Sequence, residues 1–152
     1  MRLNFKVILL GGLAMYVAQF VLGMLTGPLI HNNILLETYQ ANAGFWRPEL
    51  NQDPPDMATL MPRWITTGLI GAFILAGIFD NIRGGLSGSV AIRGLKYGVI
   101  LLLINLCISA GWSGVFNLPD SIWLWWNVDA LLYYVLGGFV LGWVTGKLAP
   151  DS

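Results

Sequence analysis

The sequence has few charged side chains for its length. Only 11% of its 152 residues are charged, whereas 56% are hydrophobic, and ordinary soluble domains carry about 25% charged residues. A soluble fold of this size cannot bury so much apolar surface. The composition therefore excludes a soluble globular protein and predicts a single integral membrane domain.

The sequence also has no net charge, and it contains only one cysteine and one histidine. The eight basic and eight acidic residues cancel, and no basic run favours a nucleic-acid partner. The one cysteine, Cys107, excludes an intrachain disulfide. The one histidine, His31, has only Glu37 nearby, whereas tight metal sites need three or four ligands at recognisable spacing. We therefore predict no metal and no cofactor.

Four long apolar segments are present, at about residues 7–30, 62–80, 95–117 and 122–146. A helix needs roughly 17–25 residues to cross a ~30 Å hydrocarbon core. The segments lack the two-residue period of barrel strands, and four strands cannot close a membrane barrel. The first segment is too long for a signal peptide and has no obvious cleavage site. The predicted fold class is all-α, a four-helix transmembrane bundle.

The basic residues are distributed unevenly between the two ends of this bundle. Six lie on the side of both termini, and two lie on the other side with five acidic residues. The first group is Arg2, Lys6, Arg83, Arg93, Lys96 and Lys147, and the second is Arg47 and Arg63 with Glu37, Glu49, Asp53, Asp56 and Asp120. By the positive-inside rule, we predict that both termini are cytoplasmic and that the outer face is acidic.

The outer loop between the first two spans, residues 31–61, is unusually long. Its first half predicts a short helix at the membrane surface, with Ile34, Leu35 and Tyr39 on one face. Its second half contains three prolines and is predicted to be irregular. We hypothesise that Phe45 and Trp46 hold this loop as a lid over the outer end of the bundle.

Asp129 lies within the fourth apolar segment, in the stretch WLWWNVDALLYY. A charge at the membrane centre costs about 2.5–3.5 kcal/mol, and less near the interface, so the acid should lie in the outer third with a polar partner. The candidate partners are Arg63, Thr66, Thr67, Gln19 and Ser109, of which Arg63 can form a charge-assisted pair. Three interpretations stay open: a pin between helices, a proton or ligand site, or a solvated residue.

Six of the seven tryptophans map to the outer interface, namely Trp46, Trp64, Trp112, Trp123, Trp125 and Trp126. Indole side chains favour the headgroup region, so an anchoring girdle is one interpretation. The other is a stacking pocket for a flat or lipidic ligand. The candidate residues for ligand binding or helix pinning are therefore Asp129, Arg63, Tyr133, Asn127, Trp125 and Trp126.

Small residues recur at helical spacing in three of the spans. Gly138, Gly142 and Gly146 follow one another on the fourth, Gly23 and Gly27 on the first, and Gly68, Ala72 and Ala76 on the second. This spacing lets helices approach closely in lipid. The ridge begins nearly opposite Asp129, so the fourth helix has two faces that need protein contacts, from the bundle itself or from another chain.

The outer loop and the fourth span together resemble a group of small bacterial inner-membrane proteins. The matching stretches are TYQANAGFWRPELNQDPPDM and NVDALLYYVLGGFVLGWVTGKL, with matches at Tyr39, Asn42, Ala43, Gly44, Pro54, Pro55, Asp56, Asp129, Tyr133 and Gly146. The chain departs from the pattern by extra residues around 46–51 and by more tryptophans. The resemblance implies a four-span architecture in the bacterial inner membrane and implies no activity.

No set of residues indicates an enzyme, because the sequence offers no nucleophile with a base, no phosphate-binding loop and no pair of membrane acids. We expect a non-enzymatic membrane protein, an accessory or structural subunit that associates with itself or with a larger membrane complex in the lipid bilayer. The alternative is a small carrier or lipidic-ligand binder that uses Asp129 beneath the tryptophan-rich cap.

Overall fold

The computed structural model describes residues 4–149, so the prediction that concerns Arg2 lies outside the described residues. Helix makes up 86% of that part of the chain, and no strand occurs in it. Four of its helices are long and apolar enough to cross a membrane. They are α1 (Val7–Ile34), α3 (Met57–Ile82), α4 (Val90–Ser113) and α5 (Asp120–Leu148), and a short α2 (Leu36–Ala41) follows α1. The predicted all-helical fold with four candidate spans is confirmed.

The helix ends differ from the predicted ones, most of all around the outer loop. α1 continues past residue 30 to Ile34, and α3 begins at Met57 rather than near residue 62. Asp56 explains the early start, because its carboxylate accepts hydrogen bonds from the Thr59 N–H at 3.2 Å and the Thr59 hydroxyl at 2.7 Å. An aspartate in this position caps a helix N-terminus. The loop is therefore shorter than predicted, and α2 and two 3₁₀ turns, Ala43–Phe45 and Pro48–Asn51, lie within it.

Glycine determines how closely α4 and α5 approach each other. A Cβ atom added at Gly94 would lie 2.3 Å from the carbonyl oxygen of Gly138, and one at Gly98 would lie 2.2 Å from that of Tyr134. No real side chain fits at such distances, so backbone packs directly on backbone. Gly142 lies in the same seam, against Gly94. The ridge predicted on the last span thus has its partner within the chain, on α4.

The other predicted packing glycines differ in what lies next to them. Gly146 lies beside the Val90 side chain, and a Cβ added at Gly23 would lie 3.0 Å from the hydroxyl oxygen of Tyr133. A Cβ at Gly27 would meet nothing within 4 Å, so Gly27 makes no close helix contact within the described part of this chain. The winding of α1 widens from α to π at this residue, which changes the angular register that the four-residue spacing assumed.

The bundle is closed at the end where Val7, Ile82, Val90 and Leu148 lie, which we call the terminal end. A buried cluster there joins all four long helices, and consists of Met15, Ala76, Phe79, Tyr97 and Leu141. The Tyr97 hydroxyl donates to the Leu75 carbonyl at 3.0 Å, which ties α4 to α3. Elsewhere α3 packs mainly on α1, and α5 packs on both α1 and α4.

The opposite end of the bundle, the lid end, carries α2 and the turn after it. We call residues 36–46 the lid. The Phe45 ring lies 5.6 Å from that of Phe116, and the Trp46 ring lies 6.1 Å from that of Trp126. Beneath them is a second buried apolar cluster, formed by Ile30, Leu35, Leu118 and Ile122. The lid is therefore seated on the ends of α4 and α5 by aromatic and aliphatic contacts.

Candidate ligand site at the lid end

Asp129 is buried in α5, and its partner is the single histidine. The Nε2 atom of His31 lies 2.7 Å from the Asp129 Oδ2 atom, while the residue as a whole is only 4% exposed. Arg63, the partner favoured from the sequence, is exposed on α3 and forms no ion pair with Asp129. Thr66 and Thr67 instead donate to carbonyl groups one turn back on their own helix.

His31 reaches this position because α1 does not end at Ile30. Pro28 has no N–H to donate, and the helix passes it by π winding over Gly27–Ile34. Short π segments inside helices frequently occur at functional sites. His31 lies on this additional turn, and its imidazole contacts Asp129 of α5. Sequence reasoning treated His31 as a loop residue, whereas the continued helix places it within the lid end of the bundle.

Tyr39 of the lid links His31 to α5. Its hydroxyl lies 2.8 Å from the Nδ1 atom of His31, and the indole N–H of Trp126 donates to the same hydroxyl oxygen at 2.8 Å. Burial raises the pKa of Tyr39 above its usual value near 10; the hydrogen bond from Trp126 opposes this shift, and the negative charge of Asp129 adds to it. The tyrosine therefore keeps its proton at neutral pH and acts as a hydrogen-bonding bridge between lid and bundle.

Tyr133 and Gln19 extend the polar contacts between α1 and α5. The Tyr133 hydroxyl lies 3.3 Å from the Thr26 hydroxyl, and the Gln19 amide donates to the Tyr133 carbonyl at 3.4 Å. On the opposite side of α5, Asn127 donates to Ser109 at 3.0 Å and accepts from Asn105 at 3.2 Å. Asn105 and Ser109 thus make the kind of interhelical hydrogen bond that their spacing on the third span predicted.

A cavity of about 710 Å³ lies among the four long helices at the lid end. Its polar wall consists of side chains from α1, α4 and α5, and its apolar wall is rich in aromatic rings from all four helices. The lining residues used below are His31, Asp129, Asn127, Trp64, Ile108 and Trp126. Residues of both α3 and α4 line the cavity, and these two helices are not among the closely packed helix pairs.

The candidate residues from the sequence separate into two groups. Asp129, Asn127, Trp126 and Tyr133 line the cavity. Trp125 instead packs against the apolar cluster beneath the lid, and Arg63 does not line the cavity. Two side chains were missed as members of the site, His31 and Tyr39. A histidine three residues after a membrane-embedded proline was the available signal, because a helix that continues past the proline keeps that histidine near the membrane.

Two polar atoms at the cavity are buried without a hydrogen-bond partner, the Oδ1 atom of Asp129 and the Nε1 atom of Trp123. Buried polar groups are nearly always paired, so each such atom indicates strain, a functional role or a bound molecule. Across residues 4–149, no three or more His, Cys, Asp or Glu side chains are grouped as a metal site would require. The Oδ1 atom of Asp129 thus keeps an unused capacity to accept a hydrogen bond.

Comparison with known proteins assigns no relative to this arrangement. No protein-family model, no curated protein and no solved structure matches the chain. The geometry of the residues themselves is therefore the basis for any statement about function.

Proposed function

We propose that this chain is a multi-pass protein of the bacterial cytoplasmic membrane that binds an amphipathic, lipid-derived ligand in the cavity at its lid end. The ligand's polar group would lie against His31 and Asp129, and its apolar part would lie between α3 and α4. The protein would act as a lipidic-ligand binder or carrier, a function that needs no catalytic residue.

The charge distribution supports an orientation with both termini in the cytoplasm. The described basic residues of the terminal end are Lys6, Arg83, Arg93, Lys96 and Lys147, and basic residues accumulate on the cytoplasmic side of membrane proteins. The lid end carries Glu37, Glu49, Asp53, Asp56 and Asp120. In this orientation the lid faces the outside of the cytoplasmic membrane, and the cavity lies in the outer leaflet.

The observation that carries the proposal is the cavity with its buried acid. Ligand sites are usually concave, mostly apolar, and contain a few polar groups that orient the ligand. An ionisable residue inside a membrane bundle is a functional candidate by default. Here the acid has one oxygen bound by His31 and one without a partner, and both residues line the same cavity.

The accessory-subunit function predicted from the sequence has less support from the geometry. Its main argument was that α5 has two faces that need protein contacts. Gly138 and Gly142 pack on α4, and Asp129, Tyr133 and Gly137 face α1, so both faces are occupied within one chain. The exposed aliphatic side chains of the bundle are those expected of any lipid-facing surface.

Native mass spectrometry of the protein, purified from its own membranes in mild detergent, tests the proposal. The parent protein should carry a bound small molecule or lipid in stoichiometric amount. Ile108→Trp, which fills the cavity, should remove most of that bound mass. Ile104→Trp is a matched control, because Ile104 lies one turn away on α4, is 52% exposed where Ile108 is 53% exposed, and does not line the cavity.

The possible outcomes distinguish the two functions. Loss of the ligand in Ile108→Trp but not in Ile104→Trp supports the cavity as the binding site. Equal occupancy in all three proteins would show that the bound molecule sits elsewhere and would overturn the proposal. A protein partner at fixed stoichiometry, without a ligand, would instead favour the accessory-subunit function.

A further inference from the structure

The hydrogen-bond chain at the lid end is satisfied by a neutral imidazole. Indole nitrogen is only a donor, so Trp126 donates to the Tyr39 oxygen, and the Tyr39 hydroxyl proton is free to donate to the Nδ1 atom of His31. An imidazole that accepts at Nδ1 carries its proton on Nε2 and donates it to Asp129 Oδ2. In this arrangement the imidazole is neutral and the carboxylate keeps its full negative charge.

No positive side chain neutralises that charge within the cavity. The lining residues include no Lys or Arg, and Arg63 of α3 is exposed outside it. From α4 the facing groups are the neutral Asn105 and Ser109. A buried carboxylate without a counter-charge is costly, so a cation in the cavity would remove most of this cost.

The remaining elements around the pair also lack a fixed charge. α1 contributes Gln19 and Thr26, the lid contributes Tyr39, and α5 contributes Tyr133 beside Asp129 itself. Glu37 of the lid and Asp120 of α5 are exposed, and neither lines the cavity. His31 is therefore the nearest polar side chain to the carboxylate, at 2.7 Å.

The aromatic walls suit a cation as well. Trp64, Trp112, Trp123 and Trp126 line the cavity, together with the rings of Tyr16, Phe20, Tyr133 and Tyr134. The faces of such rings attract ammonium and other organic cations. An anionic head group would meet the opposite situation, because it would face the Asp129 carboxylate and the negative faces of the rings.

We propose that the ligand of this site is a lipophilic amine, a cation with an apolar tail. This inference deepens the proposed function and rests on it. The ammonium group would lie against the Asp129 carboxylate, whose Oδ1 atom has no hydrogen-bond partner, while His31 keeps its contact with Oδ2.

Three amphiphiles with the same tail test the charge preference: dodecylammonium, dodecanol and dodecanoate. The full-length protein is placed in phosphatidylcholine nanodiscs, and binding is followed by the change in tryptophan fluorescence, with empty nanodiscs as the blank. Alkylamines resemble lysine, whose pKa is about 10.4, so the amine stays charged from pH 5.5 to 8. At pH 8 we expect dodecylammonium to bind at least tenfold more tightly than dodecanol, and dodecanoate to bind most weakly.

Two variants test the role of the carboxylate. In His31→Gln the amide still donates to Asp129 and leaves its charge in place, so the preference for dodecylammonium over dodecanol should persist. Asp129→Asn should abolish the preference while dodecanol still binds.

The results separate failure of this inference from failure of the proposed function. If dodecanol or dodecanoate binds to the parent protein as tightly as dodecylammonium does, the amine inference is overturned. The cavity would then still be a site that binds amphiphiles. A preference for dodecylammonium that persists in Asp129→Asn would overturn the role of the Asp129 carboxylate. If none of the three binds and Ile108→Trp does not alter native occupancy, the proposed function itself fails. The comparison of three ligands uses the parent protein and does not depend on any variant folding.

Discussion

The two ends of the bundle are built from the same four helices but are packed in opposite ways. At the terminal end, glycine backbones of α4 and α5 touch, and Tyr97 joins α4 to α3. At the lid end, bulky rings and polar side chains lie between the same helices and leave a cavity of about 710 Å³. One end contains the closest helix contacts in the described part of the chain, and the other contains its buried acid.

This difference shows how a small membrane protein can hold a site open. In lipid, helices associate through close van der Waals packing rather than through a hydrophobic driving force. A glycine seam on α4 and α5 therefore anchors one end of the pair. At the other end, hydrogen bonds among His31, Asp129, Tyr39 and Trp126 join α1, the lid and α5 beside the cavity.

The largest expected effect comes from breaking the seam. Gly98→Ala places a methyl group where the Tyr134 carbonyl oxygen lies only 2.2 Å away, so α4 and α5 must separate. Overpacking costs about 1–3 kcal/mol and occasionally more, and a backbone clash should reach the upper part of that range. Thermal unfolding in detergent, followed by the loss of the monodisperse peak in size-exclusion chromatography, measures the change.

Gly71→Ala is the matched control for the seam. Gly71 is also helical, and a Cβ there would meet nothing within 4 Å. Alanine favours helix by up to about 1 kcal/mol over glycine, so this variant should be as stable as the parent or slightly more stable. Equal melting temperatures for Gly98→Ala and Gly71→Ala would show that the seam does not anchor the bundle.

A smaller effect is expected from removing the buried acid at the open end. Asp129→Leu leaves the Nε2 atom of His31 without its partner at 2.7 Å, and a buried unpaired donor costs about 1–3 kcal/mol. Asp129→Asn keeps an acceptor for that donor and should mostly preserve the fold. The thermal stability of both variants in detergent would be compared with that of the parent.

Arg63→Ala sharpens this comparison, because the sequence favoured Arg63 as the partner of Asp129. Arg63 is exposed, and surface substitutions usually change stability by less than about 0.5 kcal/mol. If Asp129→Leu proves as stable as the parent, the carboxylate does not pin the helices. If Arg63→Ala is the more destabilising of the two, the arginine rather than His31 is the partner.

Among the side chains of the hydrogen-bond network, the smallest effect is expected at the lid. Tyr39→Phe removes the hydroxyl that accepts from Trp126 and bonds to His31, and a typical hydrogen bond contributes about 0.5–1.5 kcal/mol. Limited proteolysis from the lid side should become faster between residues 38 and 44. Tyr16→Phe is the matched control, since it removes a hydroxyl of the cavity wall without touching the lid, and it should leave the cleavage rate unchanged.

The Tyr39 contact also has a definite pH dependence. Because burial raises the pKa of Tyr39 above 10, the folded state favours the protonated hydroxyl. Its stabilising effect is fully present below pH 10 and is lost as the pH rises through the higher folded pKa. The difference in tyrosinate absorbance between the parent protein and Tyr39→Phe should therefore rise only above pH 10. A difference titration at or below pH 10 would contradict the buried bridge.

Much of the architecture could be predicted from composition and periodicity. Long apolar segments predict helices, because a helix forms all its backbone hydrogen bonds within one segment when it lies in lipid. The glycine spacing indicated close packing of the last span. The cavity-lining residues Asp129, Asn127, Trp126 and Tyr133 were found because polar and aromatic side chains stand out against an apolar background. The partner of Asp129 was predicted wrongly, since Arg63 was chosen for its charge and its expected depth.

What the sequence alone determined is therefore the class of protein, the four spans and the unusual acid, because these depend on local composition. Only the tertiary structure decided which residues meet. α1 continues through Pro28 by widening its turns, and this one departure from regular winding brings His31 to Asp129, 98 positions apart in the chain. Such a contact depends on how far a helix runs and how two helices cross, and no periodicity in the sequence records either quantity.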